Sequence, residues 1–192
     1  MTFRTLKDLA DIRTGYTIRG RAEPGPVRLV HIADLGGGGL LDPARVSATA
    51  GVEPGPEHRL RARDVLLASR GETNPAALVE ADLPDTVATS HLYLIRCDGS
   101  ALDPAYLAWY LNTRPAQDFF EAHAHGTYSV RRIRLDDVGT LPVPLPPLAV
   151  QQRVARASRL AHAEAELAHR HATQRLALAE GLLLQTVNDH AR

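Results

Sequence analysis

The chain has almost no lysine and almost no cysteine: Lys7 is the sole lysine among 22 Lys and Arg residues, and Cys97 is the sole cysteine in 192 residues. One thiol cannot close an intrachain disulfide, so no disulfide framework and no paired-cysteine zinc site can organise the fold. Apolar runs fall short of the roughly 20 residues that a bilayer crossing needs, and no secretory signal is present. A cytoplasmic protein with no membrane association is expected. An excess of positive charge is also missing, since 22 acidic residues balance the 22 basic ones. That balance cuts against a free-standing DNA binder, because neutralisation of phosphates by Lys and Arg supplies most non-specific affinity. The distribution is close to even: residues 1–72 hold eleven basic and nine acidic side chains, residues 73–145 five and nine, and residues 146–192 six and four.

Catalytic signatures are equally scarce. Gly36 to Gly39 lacks the Lys and Ser or Thr of a phosphate-binding loop, so these glycines report only a flexible backbone or positive φ. There is no Gly-x-Ser-x-Gly elbow. Asp103-Pro104-Ala105-Tyr106 bears a superficial likeness to the Asp-Pro-Pro-Tyr motif of N6-adenine methyltransferases. However, Ala105 replaces a proline, no glycine-rich cofactor loop precedes it, and Asp-Pro is a sound helix start. His123, His125, His162, His169 and His171 match no zinc spacing. Nothing here requires an enzyme, a cofactor or a metal.

What the chain does have is punctuated β-favouring runs, three short helical segments and one long one. Thr5 and Asp8 look like a capping pair ahead of a Leu6, Leu9, Ile12 stripe that Gly15 would stop, which predicts a short opening helix. Val27 to Ile32, Asp64 to Ser69, Ala76 to Val79 and His91 to Arg96 predict strands of a small mixed or antiparallel sheet. Asp103 as N-cap with Pro104 at N1 predicts a helix through Tyr106, Leu107, Tyr110 and Leu111. A restart at Thr113 and Pro115 predicts another through Phe120, ending by Gly126.

Pro142, Pro144, Pro146 and Pro147 then force an extended strap. Beyond Pro147 only Gly181 interrupts about forty helix-compatible residues, enough for roughly 60 Å of helix at 1.5 Å per residue. Val154, Ala157, Leu160, Ala161 and Leu167, then Leu178 and Leu182, line a thin, irregular apolar seam. A lone helix of this kind is only marginally held in water, so a partner helix is expected. The pattern predicts an α+β domain over residues 1–146 and a long pairing helix over residues 147–192.

Three polar clusters suit nucleic acid. Arg70, Thr73 and Asn74 follow a predicted strand; arginine can bond guanine O6 and N7, and asparagine adenine N6 and N7, in the major groove. Tyr128, Ser129, Arg131 and Arg132 follow Gly126 and combine an aromatic face, a hydroxyl and two guanidiniums, a set that can clamp phosphate and touch one or two bases. Arg59, Arg61 and Arg63 alternate with Leu60 and Ala62, so on a strand they would share one face along the backbone.

Four segments in one order resemble the specificity (S) subunit of type I restriction-modification systems. They are Leu6 to Gly15, Asp64 to Gly71, Gly126-Thr127, and the strap Val143-Pro144-Leu145-Pro146-Pro147-Leu148 running into Gln152-Arg153-Val154-Ala155. The resemblance implies a non-catalytic subunit that directs methyltransferase (modification) subunits to an interrupted site on double-stranded DNA and, through the full complex, serves a restriction subunit. It implies that S-adenosylmethionine binds the partner methyltransferase, with no cofactor here. Because full-length members carry two recognition units and this sequence carries one, the resemblance also implies a half-subunit that pairs with a second copy of itself. The alternative is a protein-protein interaction module whose long helix is the working part and which has no DNA role.

Overall fold

The computed structural model describes residues 2–18, 20, 23–36, 39–126 and 131–190, with side chains described as far as residue 185. The strands are β1 (Phe3–Thr5), β2 (Ala10–Thr14), β3 (Val27–Val30), β4 (Thr49–Ala50), β5 (Arg59–Leu60), β6 (Val65–Ala68), β7 (Ala76–Leu78), β8 (Leu83–Ala88), β9 (Leu92–Cys97) and β10 (Pro142–Pro144). The helices are α1 (Pro104–Leu111), α2 (Arg114–His123), α3 (Leu135–Gly139) and α4 (Leu148–His190). Residues 1–155 form one compact unit and residues 156–192 another. The class is α+β, as the pattern predicts.

Val65-Leu66-Leu67-Ala68 is apolar on both faces, the pattern of a strand covered on both sides. It is an inner strand of the sheet β2-β9-β6-β7, whose pairings are all antiparallel. Val65 and Leu67 pack toward Leu107 and Leu111 of α1 and Phe120 of α2. Leu66 and Ala68 face the opposite way, onto Val30, Leu41, Leu60 and Ala88. The second sheet, ordered β4-β3-β8-β5, contains the parallel pair β3/β8.

The predicted opening helix is not formed. Leu6–Asp8 is a single 3-10 turn, and Ala10–Thr14 runs on as a strand paired with β9. Leu6, Leu9 and Ile12 fit a helical period, but Ala10, Ile12 and Thr14 also alternate with the exposed Asp11 and Arg13, and pairing with β9 decides for period two. The Thr5 hydroxyl donates to the Asp8 carboxylate at 2.5 Å instead of capping the turn. Gly15 stops no helix. It is buried, and a Cβ there would stand 2.3 Å from the Thr89 carbonyl oxygen, so the close approach of two backbones requires glycine.

The strap is a strand, β10, paired antiparallel with β1. Leu6 N–H donates to Leu141 O and Leu145 N–H to Thr2 O, so the odd-numbered residues turn their backbone toward β1. Pro142 and Pro144 occupy the alternate positions, where no N–H is needed for pairing. Their carbonyls instead accept the Tyr110 and Tyr106 hydroxyls at 2.8 and 3.0 Å. Burial raises both tyrosine pKa values above the ordinary 10, keeping the hydroxyls protonated as donors.

The same region fastens the start of α4. Gln151 is 1% exposed; its Oε1 accepts from Asp103 N–H at 2.9 Å, and its Nε2 donates to Ala101 O and Pro146 O. Asp103 in turn caps α1, its Oδ1 accepting from Ala105 and Tyr106 N–H. Asp103 and Tyr106, the pair that bears the likeness to a methyltransferase motif, are thus a helix cap and a strap anchor. In the second unit α4 continues with Leu160, Leu167, Leu178 and Leu182 between 57% and 66% exposed. None of the described helices is long and apolar enough to cross a membrane.

Candidate nucleic-acid interface

β6 ends at Ala68, and the chain continues as Ser69-Arg70 into a turn at Gly71, whose φ of 127° lies in the region that favours glycine. Two side-chain amides, one on α2 and one at the C-cap of α1, hold the far side of this turn. Gln117 Oε1 accepts from Asn74 N–H at 3.0 Å while its Nε2 donates to Asn74 O at 2.9 Å. Two residues on, Asn112 does the same to Ala76, accepting at 3.0 Å and donating at 2.8 Å. Side-chain amides thereby substitute for a neighbouring strand along the edge at Asn74 and β7, leaving those backbone groups satisfied.

The loop therefore presents its residues unequally. Arg70 and Thr73 are exposed. Asn74 is 8% exposed, and its Nδ2 donates to Ala68 O at 2.7 Å. Its amide supports the loop from inside, which removes it from the set of outward-facing base readers expected from the sequence.

Residues 131–133 run alongside this loop. Gly71 N–H donates to Arg131 O at 3.1 Å and Ile133 N–H to Ser69 O at 3.0 Å, which sets Arg70 directly opposite Arg132 in an antiparallel bridge. On its other edge Arg132 exchanges backbone hydrogen bonds with His125 at 2.8 and 2.9 Å. The Tyr93 hydroxyl, buried and so raised in pKa, donates to Ile133 O at 2.8 Å and fixes the returning segment on the sheet.

Arg131 and Arg132, adjacent in sequence, part company. Arg131 is half-buried against α2, bonding Glu121 Oε1 at 3.2 Å and Glu121 O at 3.0 Å, whereas Arg132 is exposed. The pairing of Arg131 with Glu121 closes one side of a cleft of about 270 Å³ between the 71–74 loop and α2. Tyr128 and Ser129 lie outside the described residues.

Arg61 is exposed but stands apart from this group. The arginine-rich run is a strand only at Arg59–Leu60; Arg61 to Asp64 is a turn in which Arg63 has a φ of 73° and donates to Asp103 Oδ2 at 3.5 Å. The predicted alternating face does not form, because the Asp64 carboxylate accepts Arg61 N–H at 2.9 Å and bends the chain. Arg61 precedes β6 and Arg70 follows it, so the two guanidiniums belong to opposite ends of that strand.

His31 and His91, which sequence reasoning missed, belong to the Arg70 end. Thr89 N–H and Oγ1 both donate to Val30 O at 3.0 Å, and Ser69 N–H and Oγ both donate to His91 O at 2.9 and 2.8 Å. These bonds bring residues 30–31, 89–91 and 69–71 side by side. Burial, with the charges of Arg70, His31 and Arg132, holds the His91 imidazole below the ordinary 6.5. Elsewhere, His123 stacks on Phe119, and His125 faces Asp137 at 3.1 Å. Burial pushes the Cys97 thiol up to about 12, which leaves no thiolate near neutral pH.

The fold built this way is that of type I restriction-modification specificity subunits. Among solved structures, the HsdS subunit from Thermoanaerobacter tengcongensis superposes with a TM-score of 0.59 at 18% identity, over 87% of this chain and 39% of that one. The type I S subunit from M. genitalium gives a TM-score of 0.54 at 18% identity, over 81% and 37%. A chain from a structure concerned with complex assembly and conformational transition of the type I system gives 0.57 at 20%, over 86% and 42%. This chain thus spans about 40% of the length of the proteins it matches, and at these identities the likeness establishes the fold. No family model and no curated protein sequence matches it.

Proposed function

We propose that this chain is a DNA sequence-recognition (specificity) subunit of a type I restriction-modification system. It is non-catalytic, acts in the cytoplasm, and directs methyltransferase subunits, and through them a restriction subunit, to an interrupted target. The observation that carries this reading is the shared fold with type I S subunits over more than four fifths of the chain. The exposed arginines at one end of the central sheet support it. Phosphate contacts set register and base contacts set sequence. Arg132 holds the backbone, Thr73 reaches a base edge, and Arg61 adds a backbone contact at the other end of β6.

In this reading α4 is the spacer, and its exposed leucines pair with α4 of a second copy. Antiparallel pairing would set two recognition units apart by a distance that helix length fixes, so a two-fold dimer reads two half-sites separated by unread bases. S-adenosylmethionine and base flipping belong to the methyltransferase. The test is duplex selection from a randomised library by the reconstituted complex with this chain. The expected result is an interrupted consensus whose recovery falls steeply with salt; unenriched sequence would favour a pure interaction module.

A further inference from the structure

The bridge between Arg70 and Arg132 places two like charges directly opposite each other, an arrangement that opposes pairing unless something offsets it. Opposed residues of an antiparallel pair project to the same face with Cα atoms roughly 4.5–5.5 Å apart. Both side chains are exposed, and among the described residues neither makes an ion pair with a carboxylate. Other arginines near this sheet are paired: Arg96 with Asp64, Arg131 with Glu121, Arg13 with Asp11. Two half-buried imidazoles, His91 and His31, lie beside the same spot, and His91 senses both arginines.

We infer that Arg70 and Arg132 form a single seat for one phosphodiester group of the DNA backbone, with His91 as its third, proton-dependent contact. The inference rests on the DNA-binding reading and sharpens it. It moves Arg70 from reading a guanine to gripping the backbone, because a guanidinium facing a second guanidinium needs a shared anion more than it needs a neutral base edge. A phosphate oxygen can accept from both forks at once.

The proton linkage follows from the neighbours. In the free protein burial and the facing charges of Arg70, His31 and Arg132 keep His91 neutral near pH 7. Asp34 accepts His31 N–H, and Asp137 faces His125. A phosphate seated beside His91 reverses the sign of the local field and raises its pKa. Binding therefore takes up a proton, and the added affinity is complete below the free-state value and lost as pH rises through the bound-state value.

The experiment measures binding of the full chain to a mixed-sequence duplex by fluorescence anisotropy, at low salt and between pH 5.5 and 8. Wild type should tighten as pH falls, approaching tenfold per pH unit at the steepest point for one proton. His91→Gln should flatten that slope more than His31→Gln does. Arg70→Ala and Arg132→Ala should each weaken binding to every sequence and lower the salt dependence by about one phosphate contact, with the double variant little worse than either single one. Uniform binding loss with additive arginine effects, or an unchanged pH slope in His91→Gln, would overturn the shared seat while leaving DNA binding intact. Wild type that binds no duplex at any pH would overturn both. Inorganic phosphate is the control anion, and a response of His91 to phosphate but not to duplex also overturns the assignment.

Discussion

Arg96→Ala should destabilise the recognition domain by roughly 3–5 kcal/mol, the range for removing one partner of a buried ion pair. Asp64 is 3% exposed and receives Arg96 Nε at 2.8 Å and Nη2 at 3.0 Å, a bidentate pair. The hydrogen bonds Arg96 donates to Asp64 hold the arginine pKa above its ordinary value. The same guanidinium also donates to the carbonyls of Glu57 and Arg59 at 2.9 and 2.8 Å, tying β5 and the turn before it to β9. Losing it strands a carboxylate in the domain and unties that turn. Against a typical total of about 5–15 kcal/mol this is a large fraction. Urea unfolding followed by Trp109, the sole tryptophan and half-buried beside Tyr106, gives the number. A loss under about 1 kcal/mol, the scale of an exposed pair, would contradict this role.

The second large effect concerns α4. In the proposed pairing, Leu160→Glu with Leu167→Glu removes two leucines from each of two helices. Each buried leucine contributes about 1.5–3 kcal/mol. Four of them amount to roughly 6 kcal/mol or more, about four orders of magnitude in the dissociation constant. Light scattering should then report the wild type as a pair and the variant as a single chain, with the domain's urea midpoint unchanged. Equal masses for the two proteins would rule out these leucines as the seam.

Strands β6, β7 and β9 were legible because short apolar runs between Gly, Pro and Asp have few alternatives, and α1 because Asp103-Pro104 is a strong N-terminal signal. The strap was legible as extended, since proline dictates φ. That it becomes a strand with β1, and that two tyrosines anchor its carbonyls, depends on partners over 30 residues away in sequence, which local pattern does not encode. The opening segment was misread because five residues that satisfy period two also satisfy part of a helical stripe, and only β9 breaks the tie.

The site divides in the same way. Basic loops announce themselves by composition, but the direction of a side chain depends on bridges formed in three dimensions. Arg131 and Arg132 look like one clamp in sequence, yet successive residues of an extended segment point apart, and Glu121 takes the first. Asn74 has the right chemistry for adenine, but loop backbone needs it first. Gln117 and Asn112 carry no sequence signal at all, because a helix-surface amide that stands in for a strand resembles any other polar residue. His91 and His31 become visible only when the bonds from Thr89 and Ser69 draw their segments together.

The central claim is that this chain chooses where DNA is modified, and a genome-wide map of methylated bases in cells with and without it is the most direct test. The account predicts that one interrupted sequence is methylated when the chain is present and unmethylated when it is deleted, while the methyltransferase subunits remain. The same methylated sites in both maps would contradict it.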